Sequence, residues 1–318
     1  MTGSPLMADQ EHPQPARAAR LPRRISYLEL TARQRVERLL DPESFSEILK
    51  PTERLTSPHL AQLDQPVAFD DGVVIGSGRL EGHRVLIAAQ EGRFMGGAVG
   101  EIHGAKLTGL LERTVDERPA GVLLLLDTGG VRLHEANAGL IAMGEIQRAV
   151  LDVRHADIPV IAVIGGSNGC YGGLAIIACS CSAIIMSEEG RLSISGPEVI
   201  ETVAGVEAFD SRDRALVWAT MGGKHRALMG DAAYLVADDI NAFRQAIAEA
   251  LALTPAPIDI ATLERDHAAL GKRLAEHGKA ARASEIWAAV GVANPDQVSS
   301  LSPDEFAALL ATVGKAQA

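Results

Sequence analysis

Two short apolar runs, each ending in glycines, constrain the fold of this chain most. Ala120–Leu126 runs directly into Asp127-Thr128-Gly129-Gly130, and Pro159–Ile164 is followed by the glycine-rich stretch 165–173. Apolar runs of this length with glycine at the end are typical of strands that are buried on both faces. Because helical patterns separate these runs, the sequence predicts an α/β fold with a parallel sheet covered by helices.

Other segments place this sheet within the chain. Two β-rich runs, 72–80 and 84–90, flank Glu81-Gly82-His83 and predict an antiparallel hairpin that opens the sheet. Helical spacing predicts helices over 29–49, over the alanine-rich stretch 258–290 and over 302–315. We therefore expect a disordered leader over 1–24, one large α/β domain over 25–254 and a helical extension over 255–318.

Composition excludes several classes of protein. A formal net charge of −11 argues against nucleic acid as the main partner. No run of 18 uncharged apolar residues is present and the first 24 residues lack a signal-peptide core, so we expect a cytoplasmic protein without a membrane span. The three cysteines (Cys170, Cys179 and Cys181) do not have zinc-site spacing, and no metal site is predicted.

The two glycine turns are the candidate active site. Glycine allows tight bends and close approach of a ligand to backbone amides, and two such turns on neighbouring strands can direct two N–H groups at one oxygen. The candidate amides are those of Gly130, Val131, Gly172 and Gly173. The alternative is that these glycines only form tight strand-to-helix turns.

A competing motif overlaps the second turn. Gly165-Gly166-Ser167-Asn168-Gly169 matches the G-x-S-x-G nucleophile elbow, with Asp210 or Asp213 and then His225 as candidate partners. The glycines continue past the serine to Gly172-Gly173, which favours approach of a ligand to the backbone over a single exposed hydroxyl. Ser167 as the nucleophile of a serine hydrolase stays an alternative.

Several motifs together resemble the carboxyltransferase subunits of acetyl-CoA carboxylase and its relatives. They are Gly129-Gly130-Val131-Arg132-Leu133-His134-Glu135, Cys170-Tyr171-Gly172-Gly173 and Ser195-Gly196-Pro197-Glu198-Val199-Ile200-Glu201. Residues 69–74, 125–137 and 207–214 are more similar still to the β subunit of biotin-independent malonate decarboxylase. The resemblance extends from about Tyr27 to about Leu253.

The resemblance implies a crotonase-type (ClpP-like) spiral of ββα units and decarboxylation of a malonyl thioester through an enolate. It implies three partners, namely a γ subunit of related fold, an acyl-carrier protein and an acyl-carrier transferase. It implies no permanently bound cofactor, because the carrier protein supplies an arm that resembles coenzyme A. A biotin-dependent acyl-CoA carboxyltransferase is the second alternative, disfavoured because the chain lacks the four-cysteine zinc ribbon of many such subunits.

The glycine turns and the family resemblance together predict a set of site residues. The catalytic amides are those already named, and candidate proton donors to the enolate are His134, Glu135 and Tyr171. Arg132 either faces the phosphates of the carrier arm or forms an internal ion pair. The predicted substrate-binding residues are Gly96, Gly97, Gly129, Arg132, Tyr171, Gly196 and Pro197.

Overall fold

The computed structural model describes residues 24–317, except 66–68, 70–71 and 281. The predicted leader therefore lies, apart from Arg24, outside the described residues. The division of the chain at residue 254 stays a prediction.

Seven strands form one sheet in the order of the chain. The antiparallel part consists of β1 (Ser46–Ile48), β2 (Val73–Leu80) and β3 (His83–Gln90). The parallel part continues from β3 through β4 (Gly121–Leu126), β5 (Val160–Ile164), β6 (Ala183–Ser187) and β7 (Tyr234–Val236). Every residue of β4, β5 and β6 is buried, as expected for parallel strands covered on both faces.

Twelve α-helices accompany these strands in the described part of the chain. They are α1 (Ala32–Leu39), α2 (Pro58–Gln62), α3 (Glu101–Glu117), α4 (Ala138–His155), α5 (Gly173–Cys179), α6 (Pro197–Ala204), α7 (Arg214–Met221), α8 (Gly223–Leu228), α9 (Ile240–Leu251), α10 (Ile260–His277), α11 (Ala283–Ala289) and α12 (Pro303–Gln317). Short 3₁₀ turns occur at Pro51–Glu53, Met95–Gly97, Leu133–Glu135 and Pro295–Ser300. The predicted α/β class is confirmed. Within the described residues, the structure contains no helix that is long and apolar enough to cross a membrane.

A second, smaller layer of β-bridges lies beyond the ends of the parallel strands. Val99 pairs with Val131, Thr128 pairs with Cys170, and Cys170 pairs with Leu192, all in parallel. Each of β4 and β5 is therefore followed first by a bridge residue of this layer and then by a helix. This strand–bridge–helix order is the ββα unit that the sequence resemblance implies.

Two predicted helices were wrong in extent. The helix expected over 29–49 ends at Leu39, because the backbone of Leu40 is extended and Asp41 turns to accept hydrogen bonds from the amides of Glu81 and Gly82 in the β2–β3 hairpin. The chain then returns as β1. The helix expected over 258–290 breaks after His277, and α11 begins anew at Ala283.

The hydrophobic core has two layers, one on each face of the sheet. α3, α4 and α5 cover one face with residues such as Leu107, Leu111 and Ile146, and α1 and α9 cover the other with Val36 and Phe243. A separate small cluster joins α8 to the C-terminal helices through Leu228, Trp287, Val298, Phe306 and Val313. Both glycine turns lie beyond the carboxyl ends of β4 and β5.

Candidate active site

The two glycine turns contact each other directly. The amide of Thr128 donates to the carbonyl of Gly169 at 2.7 Å, and the amide of Tyr171 donates to the carbonyl of Thr128 at 3.2 Å. A methyl group built on Gly172 would lie 3.5 Å from the Cα of Gly130. The pairing of β4 with β5 thus brings both turns to one place on the surface.

The four candidate amides fall into two kinds. The amide of Gly130 donates to the Oγ1 of Thr128 at 3.1 Å, and the amide of Gly172 donates to the carbonyl of Ile194 at 2.9 Å. The amides of Val131 and Gly173 have no hydrogen-bond acceptor among the described residues. Each turn therefore presents one free N–H group, and all four of these residues are partly exposed.

Local structure explains why these two amides are free. Val99 bonds to the carbonyl of Gly130 and the amide of Arg132, so the N–H of Val131 between them points to the opposite side of the strand. Gly173 is the first residue of α5, and a helix leaves its first amides without partners. Only the second turn opens an α-helix directly, since a 3₁₀ turn separates the first turn from α4.

Backbone conformation requires glycine at both turns. Gly130 has a φ of +131° and Gly172 a φ of +66°, values that side-chain-bearing residues rarely adopt. A Cβ at Gly130 would meet nothing within 4 Å. The first turn is therefore lined by open space next to the free amide of Val131.

A buried ion pair holds the base of both turns. Asp127, the first residue after β4, accepts from the Nη1 of Arg35 at 2.9 Å and from the amide of Asn168 at 2.8 Å. Both charged side chains are almost fully buried. The backbone amide of Asp127 donates to the Oε1 of Gln90 at 3.0 Å. Asp127 thus ties α1 and the second turn to the end of β4.

Sequence reasoning missed this ion pair. An aspartate directly after a fully apolar strand indicates a buried charge that needs a partner. Arg35, however, is 92 residues away in a helix, and its helical spacing suggests nothing more than a surface side chain. Only the tertiary fold identifies it.

Arg132 takes the internal role of its two predicted alternatives. Its Nη1 lies 3.1 Å from the Oε1 of Glu135, its Nε donates to the carbonyl of Ala98 at 2.8 Å, and its guanidinium lies over the ring of Phe94. Arg132 is 4% exposed. The guanidinium is thus held by groups of the chain itself, and a role of Arg132 toward a carrier arm stays a prediction.

The candidate proton donors differ in how they are held. Glu135 is buried in the pair with Arg132 and also accepts from the amide of Glu101 at 2.6 Å. Tyr171 is buried, its hydroxyl points at the Sδ of Met221, and burial raises the pKa of its phenol. His134 is partly exposed and makes no side-chain hydrogen bond to the described residues.

The remaining predicted residues lie next to the turns. The amide of Gly129 donates to the carbonyl of Gly96 at 2.8 Å, and Gly97 packs against the backbone of Asp127. The third glycine cluster therefore borders the first turn. Gly196 and Pro197 begin α6, two residues beyond the carbonyl of Ile194 that binds the second turn.

The geometry disfavours the serine-hydrolase alternative. Ser167 is exposed and does not have the positive φ of a strained nucleophile elbow. The Nδ1 of His225 accepts from the Nε1 of Trp287 at 3.1 Å, deep in the C-terminal cluster. Asp213 caps α7, and Asp210 lies 3.4 Å from Arg212. No histidine within the described ranges hydrogen-bonds Ser167.

No metal site competes with this picture. Within the part of the chain that the structure describes, no group of three or more histidine, cysteine, aspartate or glutamate side chains is arranged to hold a metal ion.

A mostly parallel sheet with two glycine turns in contact at its carboxyl edge defines an α/β protein whose candidate site lies beyond the strand ends. The chain belongs to the carboxyl transferase family, since residues 28–267 match the carboxyl transferase domain. Its fold is the crotonase-like carboxyltransferase fold, and the predicted ββα architecture is confirmed.

Individual relatives show which branch of this family the chain resembles most. The chain is 38% identical, over 89% of its length and 95% of the relative, to the malonyl-S-ACP:biotin-protein carboxyltransferase MADC of Malonomonas rubra. It matches a chain of the Pseudomonas malonate decarboxylase hetero-tetramer solved with malonate, at a TM-score of 0.74 and 41% identity over 81% of this chain and 93% of that one. It also matches a chain of the Pseudomonas MdcD–MdcE hetero-dimer at a TM-score of 0.63 and 37% identity, over 79% of this chain and 96% of that one. The predicted resemblance is confirmed, and the chain is a malonate decarboxylase-like carboxyltransferase.

Proposed function

We propose that the chain decarboxylates a malonyl thioester carried by an acyl-carrier protein, and that the amides of Val131 and Gly173 together bind the thioester oxygen. One observation carries the proposal. Two turns in direct contact each present one amide without a protein acceptor, whereas the neighbouring amides of Gly130 and Gly172 are hydrogen-bonded within the protein. Paired free amides of this kind are the donors of an oxyanion hole.

Charge development explains why this arrangement accelerates decarboxylation. When the bond between the α-carbon and the carboxylate breaks, its electron pair moves toward the thioester carbonyl, and CO₂ leaves. The carbonyl oxygen then carries the negative charge of an enolate, which two fixed N–H groups stabilise more than they stabilise the neutral carbonyl. Addition of a proton to the α-carbon yields the acetyl thioester.

The surroundings of the turns suit the leaving carboxylate. Strong pairing of this carboxylate with a cation would stabilise the substrate more than the transition state. The cation of the first turn, Arg132, is already bonded to Glu135 and to the carbonyl of Ala98. The carboxylate therefore faces no free guanidinium from the first turn.

The proton for the α-carbon comes from His134 or from water in this proposal. Of the three candidate donors, Glu135 and Tyr171 are engaged in buried contacts, and His134 is the partly exposed one. His134→Gln separates the two sources. A slower turnover with a changed pH profile supports the histidine, and unchanged kinetics support water.

A partner subunit of related fold completes the site in this proposal. Large apolar side chains are exposed around the turns, among them Leu133, Ile141, Ile176, Ile194 and Val203, of which Leu133 and Val203 are more than 80% exposed. A surface of this kind marks a protein interface. The Pseudomonas relatives are parts of a hetero-tetramer and a hetero-dimer, which supports a γ-type partner here.

The thioester itself comes from other subunits. We infer that an acyl-carrier protein presents the malonyl group on an arm that resembles coenzyme A, and that an acyl-carrier transferase loads it. The name of the Malonomonas relative includes a malonyl-carrier substrate, which supports this assignment. The chain itself then needs no permanently bound cofactor.

Replacement of single backbone amides by esters tests the proposal. Incorporation of the α-hydroxy analogue of valine at 131, or of glycolate at 173, removes one N–H without a change of side chain. Each replacement should lower the rate of CO₂ release by about 10²–10³-fold. The matched control is glycolate at 130, whose N–H donates to Thr128: it should lower stability slightly and leave the rate within a few-fold. Equal rates for the Val131 and Gly130 esters would refute the paired-amide site.

Transfer of the carboxyl group to a biotin protein is a second candidate function. The Malonomonas relative favours it, since that enzyme is a malonyl-S-ACP:biotin-protein carboxyltransferase. In this reaction the same amides hold the same enolate, but the carboxyl group passes to biotin. Avidin separates the two: CO₂ release by the purified complex should be unaffected in the proposed reaction and abolished in the biotin-dependent one.

A further inference from the structure

The helix α10 carries an apolar face that the rest of the described chain leaves uncovered. It has 18 residues, and none of them is buried by other described residues, whereas the shorter α9 buries five of its own. Arg273 ties α10 to the domain, since it donates to the carboxylate of Asp231 at 2.9 Å and to the carbonyl of Met229 at 2.6 Å. In proteins, an amphipathic helix owes most of its stability to packing of its apolar face. We therefore expect another chain to cover the apolar face of α10.

This apolar face has the spacing of a coiled-coil seam. Six positions recur at alternating steps of three and four residues, and we call them the α10 seam: Ile260, Leu263, His267, Leu270, Leu274 and His277. Alternation of three and four is the pattern by which two helices pack along their length. The four aliphatic side chains of the seam are more than half exposed. The seam runs along the whole helix, which is about 27 Å long at 1.5 Å per residue.

The charges beside the seam divide α10 into two halves of opposite sign. The first half has three carboxylates and one cation, namely Asp259, Glu264 and Asp266 with Arg265, and the second has three cations and one carboxylate, namely Lys272, Arg273 and Lys279 with Glu276. An identical helix that runs in the opposite direction places its basic half beside this acidic half. A parallel copy would place like charges together. The charge pattern thus makes α10 complementary to an antiparallel copy of itself.

The two histidines of the seam favour the same orientation. In an antiparallel pair each histidine faces an aliphatic side chain of the second copy, and Leu263 faces Leu274 of the second copy. In a parallel pair each residue would face its own equivalent, so that His267 would meet His267 of the second copy. Two imidazoles in one buried layer cost more than one, because each polar ring loses water.

We propose that α10 is a self-association surface, through which two copies of the chain pair antiparallel along the seam about a twofold axis. The contact is shorter than a standard protein interface, so the dimer is weak and depends on concentration. A lipid surface suits this face less well, because two histidines interrupt it and the charges beside it are balanced in sign. The inference does not rest on the decarboxylation proposed above, since the seam contains no residue of the glycine turns.

Sedimentation equilibrium of the purified full chain tests the inference, because it measures the average mass as the concentration rises. The wild type should pass from one chain to two and no further, since a twofold contact closes. Leu274→Glu should weaken dimerisation at least about tenfold, because it places a charge in an apolar layer. Ala275→Glu is the matched control, since it adds the same charge to an exposed neighbour outside the seam. It should change the dimer affinity by less than about threefold.

A compensating exchange tests the orientation. Leu263→Lys combined with Leu274→Glu places each new lysine opposite a new glutamate only in an antiparallel pair, so this double variant should regain about tenfold of the dimer affinity that Leu274→Glu loses. All these positions are exposed, so thermal melts should show every variant folded.

Three results would overturn the inference: a wild type that stays monomeric at every concentration, equal effects of Leu274→Glu and Ala275→Glu, or no gain in the double variant. If the wild type stays monomeric and Leu274→Glu releases a co-expressed subunit, the seam binds that subunit and not a second copy.

Discussion

Acidification should loosen the C-terminal helices through one histidine. His225 in α8 accepts, at Nδ1, the indole N–H of Trp287 in α11, and it can do so only while Nδ1 is unprotonated. The pKa of His225 is lowered to about 4, mainly by burial; the neighbouring Arg226 and Arg273 also lower it, and Asp231 opposes the shift. The perturbation is a change of pH from 7 to 5.

The sign and size of the effect follow from linkage. Since the pKa is depressed in the folded state, the unfolded chain binds more protons between pH 4 and 6.5, and stability falls as pH falls through that window. With an unfolded pKa of about 6.5, His225 alone should remove about 2 kcal/mol of stability by pH 5. Above pH 7 its contribution is complete and no longer changes.

Urea denaturation of the wild type and of His225→Asn at pH 7.5, 6 and 5 isolates this contribution. Asparagine retains an acceptor for Trp287 and does not titrate, so all other groups titrate alike in both proteins. As pH falls from 7.5 to 5, the free energy of unfolding of the wild type should fall by about 2 kcal/mol more than that of the variant. A constant difference across the three pH values would refute the reasoning.

Three further predictions follow from the site. Ser167→Ala should leave CO₂ release within about twofold, because no histidine of the described residues activates Ser167; complete loss would revive the hydrolase alternative. Arg35→Met leaves Asp127 as a buried carboxylate without its cation, so the free energy of unfolding in urea should fall by about 3–5 kcal/mol. A loss under about 1 kcal/mol would mean that water reaches the ion pair. Gly97→Ala should unfold the chain, because its Cβ would overlap the carbonyl of Asp127. In the matched variant Gly96→Ala the Cβ enters open space, so the chain should lose only about 1–2 kcal/mol of stability from the positive φ. Equal melting temperatures of the two variants would contradict this reasoning.

Strand positions were predictable because apolar runs carry the signal directly. β4 and β5 begin one residue later than predicted and end where the sequence indicates, at Leu126 and Ile164. The hairpin turn at Glu81-Gly82 is also where the sequence places it. Helix ends were less accurate, because tertiary contacts such as the hydrogen bonds of Asp41 decide them.

For the candidate site, the sequence predicts the positions of the two turns but not which of their amides are free. Sequence indicates which glycines follow the strands, but the assignment of free amides depends on bridges such as Val99 with Val131, which join distant segments. The side chain of Arg132 shows the same limit. The sequence around Arg132 fits both of its predicted roles, the contact with a carrier-arm phosphate and the internal ion pair. Only the fold shows that the carboxylate of Glu135 lies against this guanidinium.

The carboxylate of Asp127 has a consequence for variation at other positions. It occupies the space that a side chain would need at Gly166 and at Gly92, while it also accepts from Arg35. Arg35, Asp127 and Gly166 therefore form an epistatic unit: a larger residue at Gly166 is tolerated only if the aspartate is shortened, and a shorter residue at 127 leaves the charge of the arginine unpaired. At Gly92 the Nδ2 of Asn168 would have to move as well. Single substitutions at any of these three positions should therefore destabilise the chain, whereas simultaneous replacement of Arg35 and Asp127 by small apolar residues should open Gly166 to substitution.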